Sequence, residues 1–402
     1  MTASGERVAV VGGVDTHADT IHVAAINQLG RTLADQQFPT TPVGYGQALR
    51  FLAGLGQVEV IGVEGTSSFG AGFTRAARGQ GVAVVEVVRP DRAARRRLGK
   101  SDPIDAYQAA RAALASHRTA AVKDESIEGI RALHNARRSA VKAHTAALNQ
   151  IHAMLVSAPS TIREQYRHRA TDRLVDALRR VRLTAHADPV ERAVLTALRS
   201  LAHRAKNLAD EHTRLGRELD ALVRAANPGL RATVGVGPDT AAQLLITAGG
   251  NPERLHREAS FAALCGVAPV PASSGKTTRH RLARGGDRAA NNALYRIALV
   301  RMSCDQRTKD FVTRQRTAGR STKEILRLLK RALAREVFRA LTRPVAVPGI
   351  GDLRPLRQSK NLTLTAAANH FGVWPSVISR LERGVTRDDQ LADNYRQWLT
   401  AA

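Results

Sequence analysis

The spacing of apolar positions divides the chain into stretches with different periods. Between residues 7 and 40, apolar residues fall in three short runs, 8–14, 21–26 and 32–38, separated by polar turns. Runs of this length rich in Val, Ile and Ala predict strands. A helix fits residues 44–55, an apolar strand 58–63, a helix the neighbourhood of 69–78, and a strand 82–88. This alternating β/α order predicts a mixed sheet that is largely covered. Residues 102–116 read as a helix.

Beyond this the pattern is helical. It is continuous over residues 127–155 and resumes at Val190. Val194, Leu198, Leu201, Ala205, Leu208, His212, Leu215, Leu219 and Leu222 alternate steps of four and three. That is the 3.5-residue period of a coiled coil, although one long helix packed on its own domain gives a similar stripe. His212 falls in the stripe and reads as a tolerated polar residue of the core. A second globular part opens at Asn227-Pro228-Gly229 and runs to about Arg343; residues 344–351 read as a Pro/Gly linker, and the tail from Leu353 as a small helical module. The expected division is therefore 1–118, 119–226, 227–343 and 344–402.

Charge narrows the function. The 402 residues carry 61 Lys+Arg against 35 Asp+Glu, a formal +26. Such an excess points to a polyanionic partner and away from a small-metabolite enzyme. Aromatic residues make up only 4% of the chain, so phosphate contacts outweigh base stacking. Residues 272–343 hold 19 Lys/Arg against 5 Asp/Glu, a local excess of +14 and over half of the whole. The only cysteines, Cys265 and Cys304, form no zinc or disulfide pattern. With no apolar run long enough to span a bilayer and no signal-peptide layout, a reduced, cytoplasmic protein without a membrane partner is expected.

Against this basic background, four acids stand out. Asp15 ends the run that begins at Val8, and Glu64 ends the run that begins at Val58, each at the C-terminal edge of a strand, where α/β sheets bind ligands. Asp102 and Asp105 stand at i and i+3 at the start of a helix, on one face, just after five arginines and one lysine between Arg89 and Lys100. Four converging carboxylates repel one another unless cations intervene, and Mg²⁺ with oxygen ligands turns that cost into a metal site. Two such ions activate the attacking oxygen and stabilise the leaving one in phosphodiester chemistry. Taken singly, each acid has an ordinary reading: Asp15 in a turn, Glu64 as a solvated strand end, Asp102 as an N-cap.

The loop 272–276, Ala-Ser-Ser-Gly-Lys, is followed by Arg279-His280-Arg281 and by Arg284-Gly-Gly-Asp287. Its cations can neutralise a phosphate, and a serine there can serve as a nucleophile; Ser-Ser-Gly is otherwise a common flexible loop. Val234-Gly-Val-Gly237-Pro-Asp239-Thr-Ala reads either as a phosphate-holding helix-hairpin-helix turn or as a Gly-Pro helix start that only packs.

The segments Gly-Val-Asp15-Thr-His, Val-Glu64-Gly-Thr-Ser and Lys-Ser-Asp102-Pro-Ile-Asp105-Ala resemble the N-terminal DEDD domain of transposases of the insertion sequence 110 family. Phe261-Ala-Ala-Leu-Cys-Gly-Val-Ala-Pro through Ser273-Ser274-Gly275 and Arg284-Gly-Gly-Asp287 resemble their C-terminal domain. The resemblance implies a RuvC-like, ribonuclease H type α/β domain, a helical coiled-coil middle and a mainly helical transposase domain. It implies Mg²⁺, two ions per site, on Asp15, Glu64, Asp102 and Asp105, with Ser274 as nucleophile and Ser273 its neighbour. It also implies recombination of donor and target DNA directed by a structured guide RNA, by homodimers that assemble into tetramers. Arg95, Arg96, Arg97 and Lys100 would then hold nucleic acid against the acids, and Lys276, Arg279, His280, Arg281 and Arg284 would hold it against the serine.

The tail departs from that layout. Residues 362–384 resemble a phage-repressor helix-turn-helix, with Gly372 at the turn and Ser376, Ser379 and Arg380 facing a major groove. A purely structural helical hairpin, or contact with RNA, remains open. The alternative functions are a metal-dependent junction nuclease using the acids alone, and a non-enzymatic regulator that binds DNA through the tail.

Overall fold

The N-terminal sheet is built outward from its most apolar strands. In the computed structural model, which describes residues 8–87, 101–116, 119–122, 126–183, 188–249, 255–271, 280–281, 285–343, 347, 349–384 and 388–401, strand β1 spans Ala9–Thr16, β2 Thr20–Asn27 and β3 Thr32–Pro39. Helix α1 (Pro42–Leu55), β4 (Gln57–Val63), α2 (Ala71–Gly79), β5 (Val84–Val87), α3 (Asp102–Leu114) and β6 (Thr119–Ala121) follow. The six strands lie in the order β3-β2-β1-β4-β5-β6. β1 pairs in parallel with β4, and β4 with β5, while the outer pairings are antiparallel. The mixed, covered sheet expected from the β/α alternation is present.

Successive residues of β1 feed opposite faces, as a pleated strand requires. Val10 and Val14 pack with Leu49, Leu52, Phe73 and Ala77 of α1 and α2. Val11 joins Ile26, Ala110 and Ala113 on the face covered by α3. That second face is unusually tight. A Cβ on Gly13 would drive into the backbone of Ala106 and Ala110, and one on Gly62 into the carbonyl of Ala109. Glycine on two adjacent strands and alanine along the facing side of α3 let the helix backbone lie almost directly on the sheet, and this contact fixes where its first turn sits.

The chain divides into two compact units, the first comprising Met1–Glu128 with Gly249–Arg254 and the second Gly129–Ala248 with Leu255–Ala402. The second unit is helical. Helices α4 (Ser126–Ser157) and α7 (Pro189–Ala226) are the long ones, with α5 (Ser160–Tyr166) and α6 (Thr171–Arg179) between them. Gly129 faces Leu222, the Arg137 guanidinium donates to the His212 carbonyl at 3.2 Å, and the rings of His144 and His212 lie 5.6 Å apart. The two long helices therefore run antiparallel within one chain. Ala147, Ile151 and Leu155 share a core with Leu174, Leu178, Leu198, Ala202 and Ala205.

Of the nine stripe positions on α7, Leu198, Ala205 and Leu219 are buried while Leu222 is exposed. Ala202 and Val223 are buried instead. The buried stripe thus drifts with the 3.6-residue helix and does not hold a strict 3.5 period, because the helix packs on its own chain. His212 is half-buried, as expected of a polar residue tolerated in that stripe.

Helices α8 (Pro228–Ala232), α9 (Pro238–Ala248) and α10 (Glu258–Leu264), a short ladder of β7 (Val270–Pro271) with β8 (His280–Arg281), and α11 (Arg288–Cys304), α12 (Gln306–Thr317) and α13 (Thr322–Thr342) make up the region expected to hold the serine. In the tail, α14 (Leu353–Ser359), α15 (Leu364–Phe371), α16 (Pro375–Glu382) and α17 (Asp389–Ala401) surround a core of their own. A buried bidentate pair, Arg357 to Glu382 at 2.7 and 3.0 Å, sits in that core, and the Tyr395 hydroxyl donates to the same carboxylate at 2.9 Å. With both charges hydrogen-bonded, the pair avoids the penalty of an unsatisfied buried ion. Among the described residues, no helix is long and apolar enough to cross a membrane.

The sheet–helix contact has a direct test. Gly13→Val should destabilise the N-terminal unit by about 1–3 kcal/mol or more, because backbone atoms cannot yield to the new side chain. Gly54→Ala, on α1 with nothing within 4 Å of the added carbon, should raise stability by up to about 1 kcal/mol. Urea-unfolding midpoints of the two variants check both signs.

Candidate active site

The close seat of α3 decides the geometry at the sheet edge. Asp15 is the penultimate residue of β1, opposite His22 on β2. Glu64 follows the last residue of β4 on the neighbouring strand, and its amide faces the Val14 carbonyl at 3.5 Å. The Thr16 hydroxyl donates to the Glu64 carbonyl at 3.1 Å and ties the two strand ends together. Ser101, in an extended conformation, holds the N-cap of α3 and makes no side-chain cap bond. Asp102 is therefore the first residue of the helix and not its cap. Its Oδ1 lies 3.4 Å from Nε2 of His17, and Oδ2 of Asp15 lies 3.2 Å from the same nitrogen. Asp105, one turn into α3, is buried. The structure thus brings Asp15, Asp102 and Asp105 together and sets Glu64 on the adjoining strand end.

Electrostatics at Asp15 reflect that crowding. Burial pushes its carboxyl above the ordinary range; His17 pulls it down, Asp105 and Asp102 push it up, and a hydrogen bond from the Thr16 amide, 3.0 Å from Oδ1, opposes the rise. The ionised site is costly by itself, which is the condition under which a cation is favoured.

Asp15, His17 and Asp102 each offer one ligand atom, and these atoms lie within 4.8 Å of one another. Nε2 of His17 is shielded from solvent yet has no hydrogen-bond geometry to any partner despite its short distances to the two carboxylates. A shielded polar atom facing two carboxylates, together with the hard oxygen donors, fits a divalent cation. His17 had no assigned role in the sequence reading. The available signal was its i+2 spacing from Asp15, which on an extended chain returns a side chain to the same face.

The base of the serine loop is rigidly built. Gly266, at φ +64, approaches Gly286 so closely that a Cβ on the latter would strike the Gly266 backbone. The Asp287 amide donates to the Leu264 carbonyl at 2.6 Å, and its carboxylate accepts from the amides of Ala289 and Ala290 as the N-cap of α11. The Thr247 hydroxyl donates to the other oxygen of Asp287 at 2.7 Å, and the Asn291 amide donates to the carbonyls of Cys265 and Gly266 at 3.0 Å. Residues 261–269 and 285–287 pack against each other beside β7. Ser273, Ser274, Lys276 and Arg279 lie in 272–279 between β7 and β8, and Arg284 just after them, all outside the described residues, as are Arg95, Arg96, Arg97 and Lys100. His280 and Arg281 form β8, with Arg281 exposed. Cys265 is buried and its thiol is pushed up to about 12, chiefly by burial, which disfavours the reactive thiolate.

On and after α12 a set of cations faces outward. Arg307, Lys309, Arg314, Arg316 and Arg320 on and after α12 are exposed. The glycine turn before α9 is occupied by its own chain: Arg231 donates to the Val236 carbonyl at 3.0 Å, Arg301 to the Val234 carbonyl at 2.7 Å, and Asp239 pairs with Arg137. An acid in the first turn of α9, together with these internal bonds, favours the packing reading of that turn over phosphate capture. In the tail, Gly372 adopts the left-handed conformation, φ 62, between α15 and α16. Ser376 and Arg380 on α16 are exposed, Ser379 is half-buried, and Trp374 at the start of that helix is 79% exposed.

Comparison with known sequences follows this geometry. Residues 12–158 match a family described as "Transposase", the DEDD transposase domain of IS110. Residues 228–313 match a family described as "Transposase IS116/IS110/IS902 family". A Streptomyces coelicolor protein named "Insertion element IS110 uncharacterized 43.6 kDa protein" is 32% identical over 139 residues. That match covers 34% of this chain and 34% of the relative, so the chain spans about a third of the length of the curated relative it matches.

The raised carboxyl of Asp15 sets a pH dependence. A carboxyl held above its unfolded value costs stability as pH rises through the interval between the two, and the full cost is present at neutral pH. Asp15→Asn keeps an oxygen for the Thr16 amide and removes the charge. In metal-free buffer the variant should unfold at the same or higher urea concentration than wild type at pH 7. The difference should close below about pH 4, where both forms are neutral.

Proposed function

Because the chain belongs to the IS110 transposase family, we propose that it cuts and rejoins DNA strands during excision and insertion of a mobile element, with an acidic cation site and a serine nucleophile. The observation that carries the reading is the convergence of Asp15, Asp102 and Asp105 at the end of β1, beside the strand end that bears Glu64. Bound divalent cations, of the Mg²⁺ class and two to a site, supply charge neutralisation and activation of an oxygen at the scissile phosphate. Asp15, Glu64, Asp102 and Asp105 hold those cations, and the close packing of α3 keeps the carboxylates in place while DNA binds.

Ser274 makes the covalent step. Its hydroxyl gives up its proton as Oγ attacks a DNA phosphorus, an Oγ–P bond forms, the bond from phosphorus to one DNA oxygen breaks, and that oxygen leaves as a hydroxyl on taking up a proton, so that no net proton is gained or lost. Attack by a hydroxyl of the joining strand reverses the step and returns the serine, so the phosphoester is conserved. Lys276, Arg279, His280, Arg281 and Arg284 neutralise the reacting phosphate. The rigid base formed by Gly266, Gly286 and Asp287 supports this role, because it anchors both ends of the loop.

Donor and target DNA are the substrates and a structured guide RNA directs their choice, with a homodimer pairing into a tetramer on the DNA. The formal +26 supports polyanionic partners of this size. Arg95, Arg96, Arg97 and Lys100 guide nucleic acid to the acids. Helix α16, with Ser376, Ser379 and Arg380, contacts a groove, and the outward faces of the long helices, not used in their packing within the chain, provide a coiled-coil surface for assembly.

Three measurements test the proposal. With a nicked substrate, wild type should give a protease-sensitive protein–DNA adduct that maps to residues 272–276 and is absent in Ser274→Ala. An adduct that persists there but vanishes in Ser273→Ala moves the nucleophile by one residue, and indifference to both changes leaves a junction nuclease that uses the acids alone. Asp102→Asn should lower recombination by about a hundredfold or more with DNA affinity retained, since one ligand charge is lost without a change of shape. Arg380→Ala should reduce the slope of log affinity against log salt by about 1 if α16 meets phosphate, and leave it unchanged if the tail is purely structural.

A further inference from the structure

The acidic cluster contains one donor that a purely hard-cation site has no use for. His17 stands just past β1 with 43% of its side chain exposed, yet its Nε2 is turned inward, shielded from solvent, toward Asp15 and Asp102. The separations from Nε2 to the two carboxylate oxygens are 3.2 and 3.4 Å, and neither contact has hydrogen-bond geometry. An imidazolium that only bridged two acids would aim its N–H at an oxygen. Neighbouring donors on an octahedral ion bonded at about 2.1 Å stand about 3.0 Å apart by simple geometry. The two separations from Nε2 lie close to that, and all three candidate ligand atoms lie within 4.8 Å of one another.

Resting on the reading of this cluster as a cation site, we propose that His17 is a nitrogen ligand of the ion shared with Asp15 and Asp102, and that it selects a transition-metal ion such as Mn²⁺ over Mg²⁺. Mg²⁺ takes oxygen ligands and gives up its water reluctantly. Divalent first-row metals accept imidazole and gain affinity from it. One nitrogen in an otherwise carboxylate site therefore shifts preference without excluding either ion. Two features of the chain support the ligand role. Asp15 and His17 stand at i and i+2 at the end of β1, with the Thr16 amide donating to Asp15 Oδ1 and the Thr16 hydroxyl donating to the Glu64 carbonyl. These bonds lock the backbone between the two ligands. Asp102, the first residue of α3, brings its oxygen from the other side, and its place is set by the close contact of α3 with Gly13.

The test uses the full-length protein loaded with Mn²⁺, with and without a DNA duplex, and reads pulsed electron paramagnetic resonance together with calorimetric binding of Mn²⁺ and Mg²⁺. Wild type should show nitrogen modulation from a coordinated imidazole, absent in His17→Ala and in the more conservative His17→Gln. Mn²⁺ affinity should fall about tenfold or more in either variant, while Mg²⁺ affinity changes much less. Absence of the nitrogen signal in Mn²⁺-loaded wild type, or its persistence in both variants, overturns the assignment and leaves an oxygen-only cation site intact. Failure of wild type to bind either ion, even with DNA, overturns both this inference and the acidic-site reading beneath it.

Discussion

The contact on which the candidate site depends is between backbones. Helix α3 lies against β1 and β4 where Gly13 and Gly62 present no side chains, and the alanines at 106, 109, 110 and 113 complete the fit. A helix seated so closely has little freedom to rock, and its first turn arrives over the ends of the same two strands. Asp102 and Asp105 on the helix and Asp15 and Glu64 at the strand ends are brought to one edge by that single packing decision. The cost is burial of Asp15 together with the like charges of Asp105 and Asp102, which raise its carboxyl, and a bound cation would offset it.

The second unit shows a different economy. Its long helices turn back on one another within the chain, and cations on and after α12 face outward. Where a side chain must be held, the fold uses hydrogen-bonded polar knots such as the Asp287 cap, which accepts from two amides and a threonine, and the satisfied Arg357–Glu382 pair in the tail. The close approach of Gly266 to Gly286 and the Asp287 cap fix the chain on either side of residues 272–284.

Much of the fold was legible in the sequence because its signals are local. The three opening strands, the β/α alternation and the long helices follow from hydrophobic period alone, and Gly372 sits at the turn expected of it. The limits are equally physical. The stripe on α7 was read with a 3.5-residue period, but its buried positions follow α4, α5 and α6 of the same chain, and no local pattern reveals which partner covers a helix. Ser101 takes the cap position, Asp102 the first helical position and Pro103 the second, a distinction of one residue at a helix end. His17 carries no local mark of a site, because a histidine beyond a strand has many ordinary uses, and only the placement of α3 from far along the chain brings Asp102 to its ring beside Asp15. The glycines at 13 and 62 carried the site's main constraint, yet in sequence they are merely small residues in apolar strands.

The most direct measurement of the central claim is anomalous diffraction from crystals of the full-length protein grown with Mn²⁺. The account requires an anomalous peak at the C-terminal end of β1, within bonding distance of carboxylate oxygens of Asp15 and Asp102, with α3 still seated on Gly13 and Gly62. A well-diffracting crystal with Mn²⁺ bound elsewhere, and this cluster closed into direct ion pairs with His17, would contradict it.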